Sequence, residues 1–160
     1  MKFHFIHPKD FTPYPYSKTA LQQLKDRNIK VFACTNQHRI SRGEATVDDF
    51  YHEFKEFGFD DAFICPHSPK DQCDCHKPKP GMLIEAAKKY NLDLSKTVFI
   101  GDTGSSDMLA ANSVGVIKVL VLTGWGHDSL NKYRSKWAET EADYIADNLL
   151  EAVKWVIGKE

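Results

Sequence analysis

The 160-residue sequence lacks the features that mark membrane, secreted and nucleic-acid-binding chains. No apolar run approaches the ~18–20 residues of a membrane span, and the first residues hold no apolar segment long enough for a signal peptide. Basic residues never run longer than two, and 21 of them balance 22 acidic residues. Nucleic-acid binders usually carry a clustered basic patch. We therefore expect no nucleic-acid partner, no membrane association and a cytoplasmic location.

Internal repeats and low-complexity linkers are also absent, and the length suits a single domain over residues 1–160. Short runs rich in Val, Ile and Phe predict strands that are buried on both faces. These runs are residues 30–34, 62–64, 97–100, 117–122 and 143–145. Helical patterns separate them. The alternation predicts an α/β fold with a doubly wound, mostly parallel Rossmann-like sheet and helices on both faces.

Helix starts are predicted from capping residues. Ser17 is expected to cap a helix that carries Leu21 and Leu24. Thr46 and Asp49 are spaced as a capping box, and Pro80 is expected to open a further helix. The final helix is predicted from one apolar stripe, which comprises Leu149, Val153, Val156 and Ile157.

A loop in the middle of the chain concentrates metal-binding side chains. Its candidate ligands are Cys65, His67, Cys73 and Cys75. This Cys3His set suits tetrahedral zinc, and because protein fills all four positions the zinc would be structural, clipping residues 65–80. The alternative is a group of reduced, unliganded thiols, since a disulfide is disfavoured in a reducing compartment. His76 is not expected to join the set, and Cys34 is expected to be a small buried hydrophobe.

Polar residues follow the first predicted strand and precede the Pro80 helix. The hydroxyl of Thr35 and the backbone N–H groups beside it could hold a phosphoryl oxygen, although such a sequence is usually an ordinary turn. Pro78 and Pro80 follow Lys77 and fix the backbone, so its ammonium would be aimed and could neutralise phosphate charge. A solvated lysine is the alternative.

Two carboxylates follow the strand at residues 97–100. Asp102 comes directly after Gly101 at the strand tip, and Asp107 lies where the next helix begins. Magnesium prefers hard oxygen ligands and accepts one or two carboxylates together with water and phosphate. The alternative for Asp107 is a simple preference of acidic residues for a helix N-terminus.

Together these motifs resemble the haloacid dehalogenase superfamily of phosphatases, most closely the zinc-containing branch with heptose-bisphosphate and histidinol-phosphate phosphatases. The resemblance covers roughly residues 17–126 and rests on Thr35-Asn36-Gln37, Arg42-Gly43, Cys65-Pro66-His67, Cys73 to Met82, Gly101-Asp102 to Asp107 and Leu122-Thr123-Gly124. It implies magnesium-dependent hydrolysis of a small phosphorylated sugar or alcohol.

The resemblance also assigns roles to individual residues. Thr35 and Lys77 would be catalytic phosphate-handling residues, Asn36, Gln37 and His76 would contact substrate, Asp102 and Asp107 would bind Mg²⁺, and Cys65, His67, Cys73 and Cys75 would bind Zn²⁺. His76 stands where the branch usually has arginine, the position that would contact a second substrate phosphate or carboxylate. The five-residue spacing between the two aspartates is one longer than the branch usually has.

One departure from the family is large, because no Asp-x-Asp pair occurs in the sequence. The family's first aspartate attacks phosphorus and its second acts as general acid and base. We therefore expect a chain truncated at its N-terminus, with the central nucleophile strand missing or replaced, and no efficient turnover. A substitute strand at residues 3–6 that presents His7 or Asp10 is disfavoured, because Pro8 follows His7 at once.

The alternative function is a non-catalytic phosphate-binding or interaction protein that keeps the phosphatase scaffold. A zinc-ribbon-like nucleic-acid binder is disfavoured by the balanced charge and the single closed loop. Residues 48–60 are too few for a large cap domain, so an open site is expected. Residues 124–137, rich in aromatic and charged side chains, are predicted to serve packing, with lining of the site as the alternative.

Overall fold

The computed structural model describes residues 7–160, and its backbone groups into two compact units, Met1–Cys73 and Asp74–Glu160. Each unit contains parallel strands connected through helices, which confirms the predicted α/β class. The substitute strand considered at residues 3–6 lies outside the described residues. Organisation as a single domain stays a prediction. No helix between residues 7 and 160 is both long and apolar enough to cross a membrane.

The first unit contains a two-stranded parallel sheet. Its elements are α1 (Ser17–Asp26), β1 (Phe32–Asn36), α2 (Val47–Phe57) and β2 (Asp61–Cys65), with short 3₁₀ turns at Pro8–Asp10, His38–Arg42 and Pro69–Asp71. The register pairs Asn36 with Cys65, so both strands end at the same edge. The connection over residues 37–60 is described in full and holds only a 3₁₀ turn and α2, as the prediction of no large cap domain requires.

The start of α2 is the predicted capping box. The Thr46 hydroxyl accepts a hydrogen bond from the Asp49 backbone N–H at 3.1 Å, and the Asp49 carboxylate accepts one from the Thr46 N–H at 2.8 Å. The hydrogen bonds from Thr46, the backbone one foremost, lower the pKa of Asp49. One turn on, Phe50 is fully buried with the Phe11 ring 6.0 Å away. Burying such a side chain contributes about 1.5–3 kcal/mol.

The predicted cap of α1 is wrong. Tyr16 occupies the N-cap position without a side-chain hydrogen bond, and Ser17 is the first helical residue. The apolar face was predicted correctly, since Leu21 and Leu24 are buried. Packing of that face therefore stabilises the helix without help from a side-chain cap.

The second unit contains a three-stranded parallel sheet in the order β3-β4-β5. Its elements are α3 (Gly81–Tyr90), β3 (Val98–Gly101), α4 (Leu109–Ser113), β4 (Ile117–Val121), α5 (Gly126–Leu130), β5 (Tyr144–Ala146) and α6 (Leu149–Gly158), with a π-helical turn at Gly104–Met108 and 3₁₀ turns at Leu94–Lys96 and Arg134–Trp137. Small and branched side chains from β4, β5 and α6 form a buried core, comprising Val119, Val121, Ala146 and Ala152.

Candidate functional site

The carboxyl edge of the first sheet carries the predicted phosphate and substrate residues. The Gln37 backbone N–H donates to the carbonyl of Cys65 at 2.8 Å, which continues the β1–β2 pairing by one residue. The Gln37 side-chain amide donates to the Thr35 hydroxyl at 2.9 Å. Thr35, Asn36 and Cys65 therefore lie at the same edge of this sheet, because the two parallel strands end side by side.

The four predicted metal ligands come together in what we call the thiol cluster. Its members are Cys65, His67, Cys73 and Cys75, whose ligand atoms all lie within 4.8 Å of one another. Cys65 is fully buried and the other three are half-buried. The cysteines are not joined by disulfides. This group could hold a metal ion.

The spacing inside the thiol cluster matches a tetrahedral metal. The Cys65 sulfur lies 3.7 Å from the Cys73 sulfur and 3.6 Å from the His67 Nδ1. Zinc bonds of ~2.3 Å to sulfur and ~2.05 Å to nitrogen give tetrahedral edges of about 3.8 Å and about 3.6 Å. The donor types and these two separations therefore both fit zinc.

A short turn within the loop brings the ligands back toward β2. The Ser68 hydroxyl accepts from the Lys70 N–H at 3.3 Å, and the Asp71 carboxylate accepts from the Ser68 N–H at 2.7 Å. Gln72 follows in the left-handed conformation with φ of 51°. This capped turn reverses the chain between the two pairs of ligands.

A close backbone contact connects the end of the thiol cluster to α3. The Gly81 N–H donates to the Asp74 carbonyl at 2.9 Å. A Cβ at Gly81 would collide with that carbonyl and lie 2.9 Å from the Cys75 Cα. Only glycine lets the turn that carries Lys77 pack this closely on the backbone of Cys75.

Lys77 is held by a mostly buried ion pair. Its Nζ lies 2.6 Å from the Asp107 Oδ1, and the two side chains are 12% and 8% exposed. The ammonium also lies 5.5 Å from the centre of the Phe99 ring, close enough for a cation–π attraction. These contacts hold the Lys77 ammonium in place, and its action on a phosphate stays a prediction. With Asp102 and Asp107 it forms what we call the carboxylate cluster.

Asp107 also fixes the backbone at the tip of β3. Its Oδ2 accepts hydrogen bonds from the N–H groups of Asp102 at 3.2 Å and Thr103 at 3.1 Å. A Cβ at Gly101 would collide with this carboxylate, which explains the glycine before Asp102. Since a carboxylate has about four lone-pair positions, these bonds and the lysine leave about one unused.

Asp102 keeps more of its coordinating capacity. Its Oδ1 accepts from the Thr103 hydroxyl at 3.0 Å, and its Oδ2 accepts from the Trp125 backbone N–H at 3.0 Å. About two of its four lone-pair positions remain, and the residue is only half-buried. A half-exposed carboxylate at a strand tip fits a hard cation such as Mg²⁺. The binding of Mg²⁺ by Asp102 and Asp107 stays a prediction.

The remaining predicted residues have less definite surroundings. His76 is half-buried, and its carbonyl accepts from the Lys79 N–H at 2.9 Å within the turn. Its contact with substrate stays a prediction, as does the approach of Thr35 to Lys77 and Asp102. Cys34 is half-buried, not fully buried as expected.

Residues 124–137 contribute contacts that the sequence did not indicate. Trp137 is 1% exposed, in line with the predicted packing role. Trp125, by contrast, is 48% exposed and donates its N–H to Asp102, while Ser129 bonds the backbone on either side of Thr103. A serine or a backbone N–H has no recognisable pattern in sequence, so only the fold reveals these contacts.

Comparison with known proteins extends this description. A family model for haloacid dehalogenase-like hydrolases matches residues 5–115. The D-glycero-beta-D-manno-heptose-1,7-bisphosphate 7-phosphatase of Pseudomonas putida is 38% identical over 133 residues, covering 78% of this chain and 75% of that protein. The Haemophilus ducreyi protein of the same name is 34% identical over 154 residues, covering 86% and 80%.

Solved structures show the same likeness. The D,D-heptose 1,7-bisphosphate phosphatase from B. bronchiseptica, complexed with magnesium and phosphate, superposes with a TM-score of 0.78 at 28% identity, covering 96% of this chain and 88% of that one. The counterpart from Burkholderia thailandensis gives 0.67 at 21% identity, with 95% and 90% coverage, and shares the fold.

Proposed function

This chain belongs to the haloacid dehalogenase-like hydrolase family. From that premise, we propose that it is a magnesium-dependent phosphatase that acts on a phosphorylated sugar. Relatives named as heptose-1,7-bisphosphate 7-phosphatases support the substrate class. The observation that carries the proposal is the buried Lys77–Asp107 pair, whose carboxylate also binds the backbone N–H of Asp102. The Asp107 carboxylate thereby fixes the positions of both the Lys77 ammonium and the backbone that carries the Asp102 carboxylate.

The residues of the carboxylate cluster divide the work. Asp102 would be the direct ligand of Mg²⁺, with Asp107 contributing its remaining lone-pair position or a bound water. When bound, Mg²⁺ supplies positive charge to the phosphoryl oxygens. Lys77, held in place by Asp107, adds a second positive charge aimed at the same group. The family resemblance further supports a contact of the Thr35 hydroxyl with a phosphoryl oxygen and contacts of Asn36, Gln37 and His76 with the sugar.

The thiol cluster would have a structural role. All four ligands come from protein, so a bound Zn²⁺ has no open position for water and cannot act as a catalytic Lewis acid. Its effect would be to order residues 65–80. These residues include Lys77, and because Gly81 packs against Asp74 and Cys75, the order would extend to the start of α3.

A second candidate function is phosphate binding without turnover. The observation that favours it is the absence of an Asp-x-Asp pair from the 160 residues. Enzymes accelerate phosphate-monoester hydrolysis by up to ~10²¹-fold, and without an in-line nucleophile the charges at Lys77 and Asp102 would bind the phosphate but not displace the sugar.

The experiment that tests both functions uses the 160-residue chain with zinc and magnesium supplied. Phosphate release from D-glycero-D-manno-heptose 1,7-bisphosphate and from p-nitrophenyl phosphate is measured, and binding of inorganic phosphate is followed by calorimetry. The Pseudomonas putida relative serves as the positive control and Lys77→Ala as the background. Release above that background supports the phosphatase, and binding without release supports the second candidate. Failure to bind magnesium or phosphate would refute both.

A further inference from the structure

Ser129 lies behind the Asp102 turn, outside the carboxylate cluster. It sits in α5 and is 2% exposed. Its hydroxyl donates to the Asp102 carbonyl at 3.1 Å and accepts from the Gly104 N–H at 3.1 Å. One side chain therefore bonds the main chain before and after Thr103, where β3 has ended and the π-helical turn begins.

The position of Ser129 is itself fixed from behind. Trp137, 1% exposed, donates its indole N–H to the Ser129 carbonyl at 2.9 Å. The Trp137 ring lies against Gly104 so closely that a Cβ at Gly104 would collide with it. The Arg134 guanidinium also lies against the ring, 4.1 Å from the ring centre. The buried Trp137 side chain thus fixes the backbone of Ser129 and, with it, the position of the Ser129 hydroxyl.

A second contact from the same segment reaches the carboxylate of Asp102. The Trp125 N–H donates to the Asp102 Oδ2 at 3.0 Å, and Trp125 immediately precedes α5. The segment therefore contacts Asp102 at its carbonyl through Ser129 and at its carboxylate through Trp125. By holding the Asp102 backbone, Ser129 keeps the Asp102 carboxylate within hydrogen-bond distance of the Trp125 N–H.

We infer that Ser129 is a positioning residue that sets the magnesium affinity of Asp102, an inference that rests on the function proposed above. A metal-binding carboxylate must be held within about 0.5 Å of its productive position. Groups that orient a metal ligand without touching the metal typically change affinity 10–100-fold when removed. Ser129 has this relation to Asp102, since it makes one buried and one part-buried hydrogen bond to the turn that carries the carboxylate.

The test measures binding of the metal alone, by calorimetry with Mg²⁺ and by electron paramagnetic resonance with Mn²⁺. Ser129→Ala is expected to weaken binding about tenfold, and Ser129→Thr, which keeps the hydroxyl, is expected to restore most of it. Trp137→Phe removes the indole N–H behind Ser129 together with part of the ring's packing, leaves the Ser129 hydroxyl in place, and is expected to give a smaller loss of affinity. It also keeps the inference testable if Ser129→Ala does not fold.

Val153→Ala is the matched control for a merely structural effect. Val153 is fully buried in α6 and its side chain cannot hydrogen-bond, so the variant loses stability through a cavity. Its Mn²⁺ affinity should stay within about twofold of the unaltered chain. An equal loss in Val153→Ala, or an unchanged affinity in Ser129→Ala, overturns the inference.

Asp102→Asn separates the inference from the proposed function. If this variant loses Mg²⁺ binding while Ser129→Ala keeps it, Ser129 has no positioning role but the proposed site stands. If Asp102→Asn binds Mg²⁺ as well as the unaltered chain does, the proposed site itself fails, and the inference fails with it.

Discussion

The thiol cluster and the carboxylate cluster differ in what holds their side chains together. The thiol ligands come from one short stretch, residues 65–75, and approach one another at sulfur–sulfur and sulfur–nitrogen separations near 3.7 Å. Contacts of that kind contribute little without a metal. The carboxylate cluster joins positions up to 30 residues apart through hydrogen bonds and an ion pair between protein groups. The first cluster is therefore spaced as the donors of one cation would be, whereas the second is joined by contacts between protein groups.

Removing the zinc proposed for the thiol cluster should produce the largest effect, because structural zinc contributes on the order of 10 kcal/mol to the order of its segment. Cys73→Ala is expected to lose the bound zinc and to speed hydrogen exchange of amides across residues 65–80. Zinc content and exchange rates are the measurements. Cys34→Ala is the matched control, since Cys34 is a cysteine outside the thiol cluster. Equal zinc content in the two variants would contradict the proposal that the thiol cluster binds zinc.

Breaking the carboxylate cluster should destabilise the chain even without any metal. Lys77→Met leaves a carboxylate that is 8% exposed without its counter-ion, and removing one partner of a buried pair typically costs about 3–5 kcal/mol. Unfolding in urea with a chelator present measures this loss.

Lys118→Met is the matched control for that prediction. Lys118 pairs with Asp143 at 3.5 Å, but the carboxylate is 48% exposed, so we expect a loss below about 1 kcal/mol. Similar losses of unfolding free energy in the two lysine variants would show that burial of the Lys77–Asp107 pair does not add to its contribution to stability.

Glycines with positive φ offer a finer comparison inside the second unit. Gly124 and Gly115 have φ of 58° and 74°, but only at Gly124 would a Cβ collide with a side chain, the Asp102 carboxylate. Alanine at either position should cost about 1–2 kcal/mol of backbone strain. Gly124→Ala should also weaken Mg²⁺ binding, measured by calorimetry, while Gly115→Ala should not. A loss of Mg²⁺ affinity in both variants would show that general destabilisation of the second unit, and not the contact with Asp102, causes the effect.

The smallest effect concerns a charge outside both clusters. The pKa of Asp49 is lowered in the fold by its hydrogen bonds with Thr46. The resulting stability is present above the unfolded pKa of about 3.9 and disappears as the pH falls through the lower folded value. Asp49→Asn should therefore lose less stability on acidification, as measured by urea unfolding at several pH values. Asp48→Asn, which removes a neighbouring exposed charge, should follow the unaltered chain.

The sequence was most informative where structure depends on neighbouring residues. All five strands between residues 7 and 160 were predicted from short apolar runs, although β1 runs through Asn36, two residues further than expected, because β2 continues to pair with it. The capping box at Thr46 and the gathering of four metal ligands were also predicted. Each depends on spacing within about eleven residues or fewer, which a reader of the sequence can measure.

The contacts that arrange the carboxylate cluster could not be predicted in the same way. Asp102 and Asp107 were found from a strand tip and a family resemblance, but the ion pair between Asp107 and Lys77 spans 30 positions. Ser129 meets Asp102 across 27 positions through a hydroxyl and a carbonyl, groups that every protein contains in quantity. Only the path of the chain decides which of them meet.

The packing of Trp137 gives the chain an intrinsic optical probe. Of its three tryptophans, Trp125 is 48% exposed, Trp155 is half-buried and Trp137 is 1% exposed. Trp137 emission should thus resist quenching by acrylamide and shift to shorter wavelength than that of the others. Since its indole N–H bonds Ser129 and its ring covers Gly104, movement of the Asp102 turn can be followed by fluorescence without attaching a label.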